Sequence, residues 1–471
     1  MAADDLPRRV DVAVVGAGIA GLSAAVRCTQ AGLRVAVLEQ SRQDLHLCSS
    51  RLASGVFHVA MTSPATPPEV LEQRMLARYP AADRALVRTM AQHALRAARW
   101  LRDTAQAHFI RAGAEPFYDY VLAPPAVART GRPWQGRGAD VLLRRLEGVL
   151  EQRGGAVFRG RRAVGLVMEA GRCTGVRTAG AGGVEALECN AVVLADGGFQ
   201  ADGELLRRYV TPRPEDLVQR NGGTGRGDGL RMALEAGAGV YVSPYFYGHL
   251  QSRSALTDDM LWPYPWLDEL ARASILVGSD GRRFADEGRG GIYLANQVAR
   301  LPRGLDAFVI ADHEAWNGPG AERPTGPNPK LVRCGGLIHR AERLSDLGAL
   351  AGIDARELAR TVAAYNEALL ADDVARLVPI RTTREFKAWP ILTPPFYAIP
   401  VAAGITYTFG GIAVDEHSRV LDRSHEPMTG LYAAGSAAGG LEGGEGVAYF
   451  GGLCKAVVTG LRAAEHIVGT S

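Results

Sequence analysis

A Rossmann-like α/β fold is predicted for this chain by three observations. The apolar run 10–15 leads directly into Gly16-Ala17-Gly18-Ile19-Ala20-Gly21 and an amphipathic stretch. A second apolar run, 34–38, ends on the acid Glu39 within roughly 30 residues of the first. Far down the chain, Gly430-Leu431-Tyr432-Ala433-Ala434-Gly435 and the apolar helical stretch 452–468 repeat a strand-turn-helix pattern. In the first unit Gly16 permits a tight turn, Gly18 lets backbone N–H groups approach a pyrophosphate, and Gly21 lets helix and strand pack closely. The helix start, with Ile19 and Ala20 in the turn, holds phosphates. Glu39, followed by Gln40, accepts the hydroxyls of an adenosine ribose. The flanking strand, helix and acid make this far more specific than three glycines alone, and they imply a bound dinucleotide.

Length and composition frame that reading. At 471 residues the chain exceeds the size at which one core stops growing, so two domains are expected. A hydrophobic fraction of 47% with 57 glycines reads as a globular α/β enzyme. Fifty-three basic against 50 acidic residues, interspersed, leave no footprint for nucleic acid or an anionic membrane. The six cysteines lack metal-ligand, haem or iron–sulfur spacing and read as reduced and mostly buried, so no metal is expected. No secretory signal pattern and no bilayer-length apolar run is evident, which points to a cytoplasmic protein without membrane insertion.

Along the chain, a helical stretch is expected over 69–112 with a break near Pro80, and another over 136–153. Residues 155–195 alternate and turn as a meander, ending in the apolar run 191–195 and Asp196-Gly197-Gly198-Phe199. From Pro244 the composition shifts to aromatics and prolines, and the shift closes near Pro394-Pro395. The expected division is therefore a dinucleotide-binding domain from 1–244 and 394–471, interrupted by an inserted domain at 245–393.

Read together, these segments resemble the flavoproteins that include fumarate reductase, 3-ketosteroid dehydrogenases and tricarballylate dehydrogenase. The resemblance spans nearly the whole chain. It rests on the 16–39 unit, Ser50-Arg51-Leu52-Ala53-Ser54-Gly55, Ala195-Asp196-Gly197-Gly198, the run 223–229 with Asp228, Thr408-Phe409-Gly410-Gly411, and Gly435-Ser436. It implies a glutathione-reductase-type FAD-binding domain carrying an α+β capping domain. The small residues 49–55 would let backbone pass close to the isoalloxazine, although they would also suit tight packing. Val164, Gly451, Gly452 and Leu453 join the cofactor set by the same resemblance. Ser436 stands where many relatives carry an acid for the ribitol. Arg129-Thr130-Gly131 has no histidine where membrane-bound relatives attach flavin, so non-covalent FAD is expected.

The family's reactions interconvert a saturated C–C bond and an alkene next to a carbonyl, which requires a polarised carbonyl, a proton-transfer group and exclusion of water. His249 falls where fumarate reductases place a substrate-binding histidine; a structural hydrogen bond is the competing reading. Arg289 lies near their proton-delivering arginine, but its spacing after Glu287 is shorter. Tyr293 stands in the region where ketosteroid dehydrogenases use a tyrosine, and would need nearby positive charge to act as a base. For both residues a surface ion pair and a packed ring are the alternatives. Tyr407 replaces a histidine, and Tyr449 replaces the carboxylate-clamping arginine, of the fumarate reductases. A phenol offers one neutral O–H where arginine offers a cationic fork, which argues against a dicarboxylate. Ketosteroid dehydrogenases and tricarballylate dehydrogenase also carry tyrosine at the Tyr449 position, so the resemblance implies an FAD-dependent dehydrogenase forming a C=C bond α,β to the carbonyl of a small cyclic ketone or ketosteroid-like substrate, with Tyr449 and Tyr407 on its oxygen and Tyr293 or Arg289 moving the proton. Trp262, Tyr264 and Trp266 would form a lid over it, or belong to the core. Oxidation or reduction of a carboxylic acid, gripped by His249 and a cap arginine, is the alternative. In either case the partners are a small-molecule substrate and an external electron acceptor.

Overall fold

A computed structural model of the chain describes residues 6–125, 131, 133–383 and 385–470. Arg129 and Thr130 lie outside the described residues. The main sheet has nine strands. At its centre the strand Val12–Val15 pairs in parallel with Val35–Glu39 on one side and Ala191–Leu194 on the other, in the registers Val12↔Val35 and Val12↔Ala191. Ala156–Arg159 extends one flank and Pro427–Ala433 the other. All four residues of Val12–Val15 are buried, as a parallel strand covered on both faces requires. The helix Ile19–Gln30 packs on one face together with the C-terminal helix Gly452–Thr470. A Cβ on Gly21 would lie 2.0 Å from the Gly16 carbonyl oxygen, so only glycine lets the helix sit this close to its own strand.

The helix expected over 69–112 forms as Pro68–Arg78 and Arg84–Ala105, separated at Pro80. Asp83 restarts it by accepting from the Ala85 and Leu86 N–H groups. The expected helix over 136–153 forms as Gly138–Gln152.

A second sheet is built on one 13-residue strand, Phe396–Thr408. It pairs antiparallel with Phe246–Ser252, Phe308–Ala311 and His339–Ala341, and parallel with Val218–Gln219. The sheet thus draws on residues on both sides of the insert 245–393. A bulge interrupts the pairing with Phe246–Ser252: Tyr247 faces Tyr407, but Gly248 faces Ile405, leaving Thr406 as the extra residue. A Cβ on Gly248 would lie 1.9 Å from the Gly404 carbonyl oxygen. This glycine-permitted kink re-aims Tyr247, Thr406 and Tyr407 toward a cavity between the two sheets. Among the described residues no helix is long and apolar enough to cross a membrane.

Candidate active site

Two cavities meet beyond the carboxyl ends of the central strands, the position at which open α/β sheets bind ligands. The first, about 810 Å3, is bounded by Gly16, Gly18, Ile19 and Ala20 of the turn and by Glu39 and Gln40 at the end of the second strand. Its far side is formed by Ser50, Ala195, Asp196, Gly197, Asp228, Gly435 and Ser436. The helix Ile19–Gln30 starts after Gly18, which has no side chain to cap it, and has no acid in its first turn; Ser50 Oγ accepts from Ile19 N–H at 3.1 Å, and the positive end of the helix faces the cleft. A Cβ on Gly18 would approach nothing nearer than Ser50 Oγ at 3.5 Å. Ala17 and Ser41 N–H groups orient the Glu39 carboxylate at 3.2 and 2.9 Å, and its remaining lone pairs are available for vicinal hydroxyls. Asp196 accepts from Gly229 N–H at 2.8 Å through one oxygen, while its other oxygen is buried without a partner. Burial pushes this carboxyl up to about 7. A buried acid with one unpartnered oxygen beside a helix start that carries no acid of its own is the chemistry a polyhydroxylated, pyrophosphate-bearing ligand completes.

The second cavity, about 1080 Å3, shares Ile19, Ser50 and Ser436 with the first. Leu52, Ala53, Ser54, Gly452 and Leu453 line its base, and Tyr247, Trp262, Tyr264, Trp266, Tyr407 and Tyr449 its walls. The Tyr449 hydroxyl accepts from Gly452 N–H at 3.1 Å, and its ring stacks on Tyr247 at 3.8 Å and 13°. Burial holds the Tyr449 hydroxyl well above the usual phenol range, so it stays protonated and able to donate. Trp262, Tyr264 and Trp266 reach the cavity wall, and Trp262 is also only 2% exposed, so that segment serves lining and packing together.

Several expected roles need correction. Tyr407 lines the cavity, but its hydroxyl donates to both oxygens of the buried Glu442 carboxylate, at 3.0 and 2.9 Å. That proton is committed and does not polarise a ketone. Arg51 turns away from the cleft into a buried ion pair with Asp140 and a contact with Glu147. Val164 is 42% exposed, whereas its neighbours Arg162 and Ala163 face the cleft. Gly21, Gly55, Gly198 and Gly451 line neither cavity; a Cβ would meet backbone at Gly21 and Gly451, 2.1 Å from the His58 carbonyl oxygen in the latter, and side chains at Gly198 and Gly55, namely Thr408 Oγ1 at 2.4 Å and Leu122 Cβ at 3.1 Å. Arg289 is exposed, donates to the Glu445 carbonyl at 2.9 Å, and lies 4.1 Å from the Tyr293 ring centroid. Neither residue lines either of these two cavities. His249 is buried behind the wall, with Nδ1 2.6 Å from Asp268 and Nε2 3.1 Å from the Tyr247 hydroxyl.

Four residues of this site escape a reading by motif. Arg220 lines the second cavity; it donates to Thr406 Oγ1 at 3.0 Å, while its Nε is buried with no hydrogen-bond partner. Lys455 pairs with Glu442 at 2.6 Å beneath the Tyr407 ring. Tyr247 sits two residues before His249 on one strand face. The signals were present: an acid, Glu442, inside a glycine-rich loop, and a Tyr-x-His alternation at strand period.

The nucleotide cleft, the second cavity and the two sheets together define a dinucleotide-dependent redox enzyme. The chain belongs to the FAD binding domain family, whose profile matches residues 11–447, and FAD is its cofactor. It is 26% identical over 454 residues to a fumarate reductase (cytochrome) of Shewanella frigidimarina, covering 92% of this chain and 73% of that protein. It is 30% identical over 302 residues to the 4-oxocyclohexanecarboxylate 2-dehydrogenase of Sinomonas cyclohexanicum, covering 57% of this chain and 49% of that one. The 3-ketosteroid delta1-dehydrogenase from Sterolibacterium denitrificans, solved in complex with 1,4-androstadiene-3,17-dione, superposes with a TM-score of 0.77 at 20% identity, over 99% of this chain and 100% of that one. The protein is thus an FAD-dependent oxidoreductase, similar in sequence to fumarate reductase and in fold to ketosteroid dehydrogenase.

Proposed function

We propose that the enzyme desaturates a small cyclic ketone, forming a C=C bond α,β to the carbonyl. The observation that carries this reading is the pairing of Tyr449 O–H and Gly452 N–H on the wall of the second cavity, 3.1 Å apart. Gly452 N–H holds the hydroxyl oxygen in place, leaving Tyr449 O–H to donate to a ketone oxygen and stabilise the enolate formed on α-proton loss, in a site walled by aromatic rings that exclude water. Bound FAD supplies the two-electron acceptor for the β-hydride. The helix start at Gly18–Ala20 would hold its pyrophosphate, Glu39 its adenosine ribose, Asp196 and Ser436 its ribityl chain, and the 50–54 segment with Gly452 and Leu453 its ring system. An external acceptor then reoxidises the enzyme.

A second reading, oxidoreduction of a carboxylic acid, is favoured by Arg220, a cavity-lining cation whose Nε is unpartnered. Arg137 lines the same cavity. Assaying flavin reduction by cyclohexanones, by 4-oxocyclohexanecarboxylate and by simple dicarboxylates separates the two readings. Ketones are expected to reduce the flavin; turnover of dicarboxylates alone overturns the ketone reading. Arg220→Ala is expected to raise the KM of the carboxylated ketone about 10-fold or more, through loss of a charge-assisted bond of about 1.5–3 kcal/mol. The KM of unsubstituted cyclohexanone should stay put. Equal shifts for both ketones would remove Arg220 from anion binding.

A further inference from the structure

We propose that Tyr247 exchanges the proton at the substrate's α carbon, with His249 and Asp268 as the relay behind it. This assignment rests on the ketone reading of the same cavity and names the proton-transfer group that reading requires.

The hydrogen bonds form a chain with one consistent direction. Asp268 Oδ1 accepts from Leu250 N–H at 2.8 Å, which fixes the carboxylate, and Oδ2 lies 2.6 Å from His249 Nδ1. A carboxylate only accepts, so Nδ1 carries the imidazole proton and Nε2 is left as the acceptor. The Tyr247 hydroxyl, 3.1 Å away, therefore donates to Nε2. Trp266 clamps the imidazole face at 3.9 Å and is itself tethered through Nε1–H to Glu269 at 2.9 Å. At the other end the Tyr247 ring stacks on Tyr449, so the two hydroxyls sit side by side at the cavity. One proton-transfer group and one carbonyl donor in that arrangement match the α hydrogen and oxygen of a ketone.

Tyr247 alone would be a poor base. Burial pushes its hydroxyl up to about 12, with Tyr264 and Asp268 adding to the rise and Arg220 and Tyr449 opposing it. Burial also lowers His249 against the pull of Asp268, so the imidazole is neutral and ready to accept. In the step, the Cα–H bond breaks and its proton goes to the Tyr247 oxygen as the Tyr247 proton passes to His249 Nε2. The bonding pair becomes the enolate, whose oxygen is held by Tyr449 O–H, itself positioned by Gly452 N–H. The imidazolium that forms stays against Asp268 until its proton exchanges with solvent or returns to the substrate.

The test isolates proton transfer from redox turnover. Holoenzyme with its flavin kept reduced by dithionite is incubated with cyclohexanone in D2O, and deuterium at the α carbons is followed by NMR. Wild-type protein is expected to exchange them. Tyr247→Phe should slow exchange about 100-fold or more, within the range of general acid–base catalysis. Asp268→Asn keeps the Leu250 bond but presents an amide N–H to Nδ1, forcing the proton onto Nε2 and removing the acceptor; it should slow exchange similarly with the ketone KM unchanged. Tyr293→Phe should exchange at the wild-type rate. Wild-type exchange that persists in Tyr247→Phe, or is lost in Tyr293→Phe, overturns the Tyr247 assignment alone. Wild-type protein that neither exchanges nor oxidises any ring ketone overturns the ketone reading and the relay together. The visible flavin spectrum of each variant verifies its folding.

Discussion

Replacing Tyr449 with phenylalanine is expected to lower flavin reduction by a cyclic ketone about 10²–10³-fold, the usual loss for one donor of an oxyanion site. KM should move little, because the bond strengthens only as negative charge gathers on the ketone oxygen. The size of the effect follows from burial. The Tyr449 hydroxyl sits among Tyr247, His58 and the Gly452 amide, away from solvent, where charge stabilisation is worth several times its value in water. The fold should tolerate the change: the phenyl ring keeps its stack on Tyr247 and its edge contact with His58 at 5.1 Å. Stopped-flow bleaching of the flavin under saturating ketone reads the rate directly. An unchanged bleaching rate would exclude that hydroxyl from the chemistry. Tyr407→Phe is the natural contrast, since its O–H donates to Glu442, and its cost should fall on stability.

The contrast between these two tyrosines shows where sequence reading succeeds. The nucleotide cleft was legible because its determinants are local: strand, turn, helix and acid follow one another from Val12 to Glu39, and each is fixed by short-range sterics. The break at Pro80 and the helix 138–152 were legible for the same reason. The role of Tyr407 was not, because it depends on Glu442, 35 positions away. Nothing in Tyr-Thr-Phe-Gly-Gly announces that partner. Arg220 joins the cavity through a two-residue parallel pairing with Gly404 and Ile405, too short to leave a periodic pattern. The same long-range pairing explains the second sheet. Composition marks where aromatic residues cluster, but the partners of Phe396–Thr408 come from four separate segments. His249 was open between substrate ligand and structural hydrogen bond; it is hydrogen-bonded to Asp268 and Tyr247 behind the cavity wall, a place that follows from strand alternation with Tyr247.

Lys455→Met is expected to cost about 3–5 kcal/mol of stability, the penalty for stripping the partner from a buried charge. Glu442 is 1% exposed and Lys455 3% exposed. The carboxylate accepts from Lys455 Nζ at 2.6 Å, from Tyr407, and from Phe450 N–H at 2.8 Å. Methionine fills similar space but leaves an anion supported only by two neutral donors. The double variant Lys455→Met, Glu442→Gln removes the charge itself while the glutamine oxygen keeps both donors, so it should recover most of the loss. Guanidinium unfolding of the holoprotein, followed by flavin release and far-UV dichroism, measures both. Equal losses in single and double variants would mean that packing, not charge pairing, sets the cost. If the double variant recovers, the ion pair is what joins the first turn of Gly452–Thr470, the glycine-rich loop at 442 and the end of Phe396–Thr408. Those three elements carry Gly452, Tyr449 and Tyr407, so this buried charge pair would fix the wall on which the ketone oxygen is held.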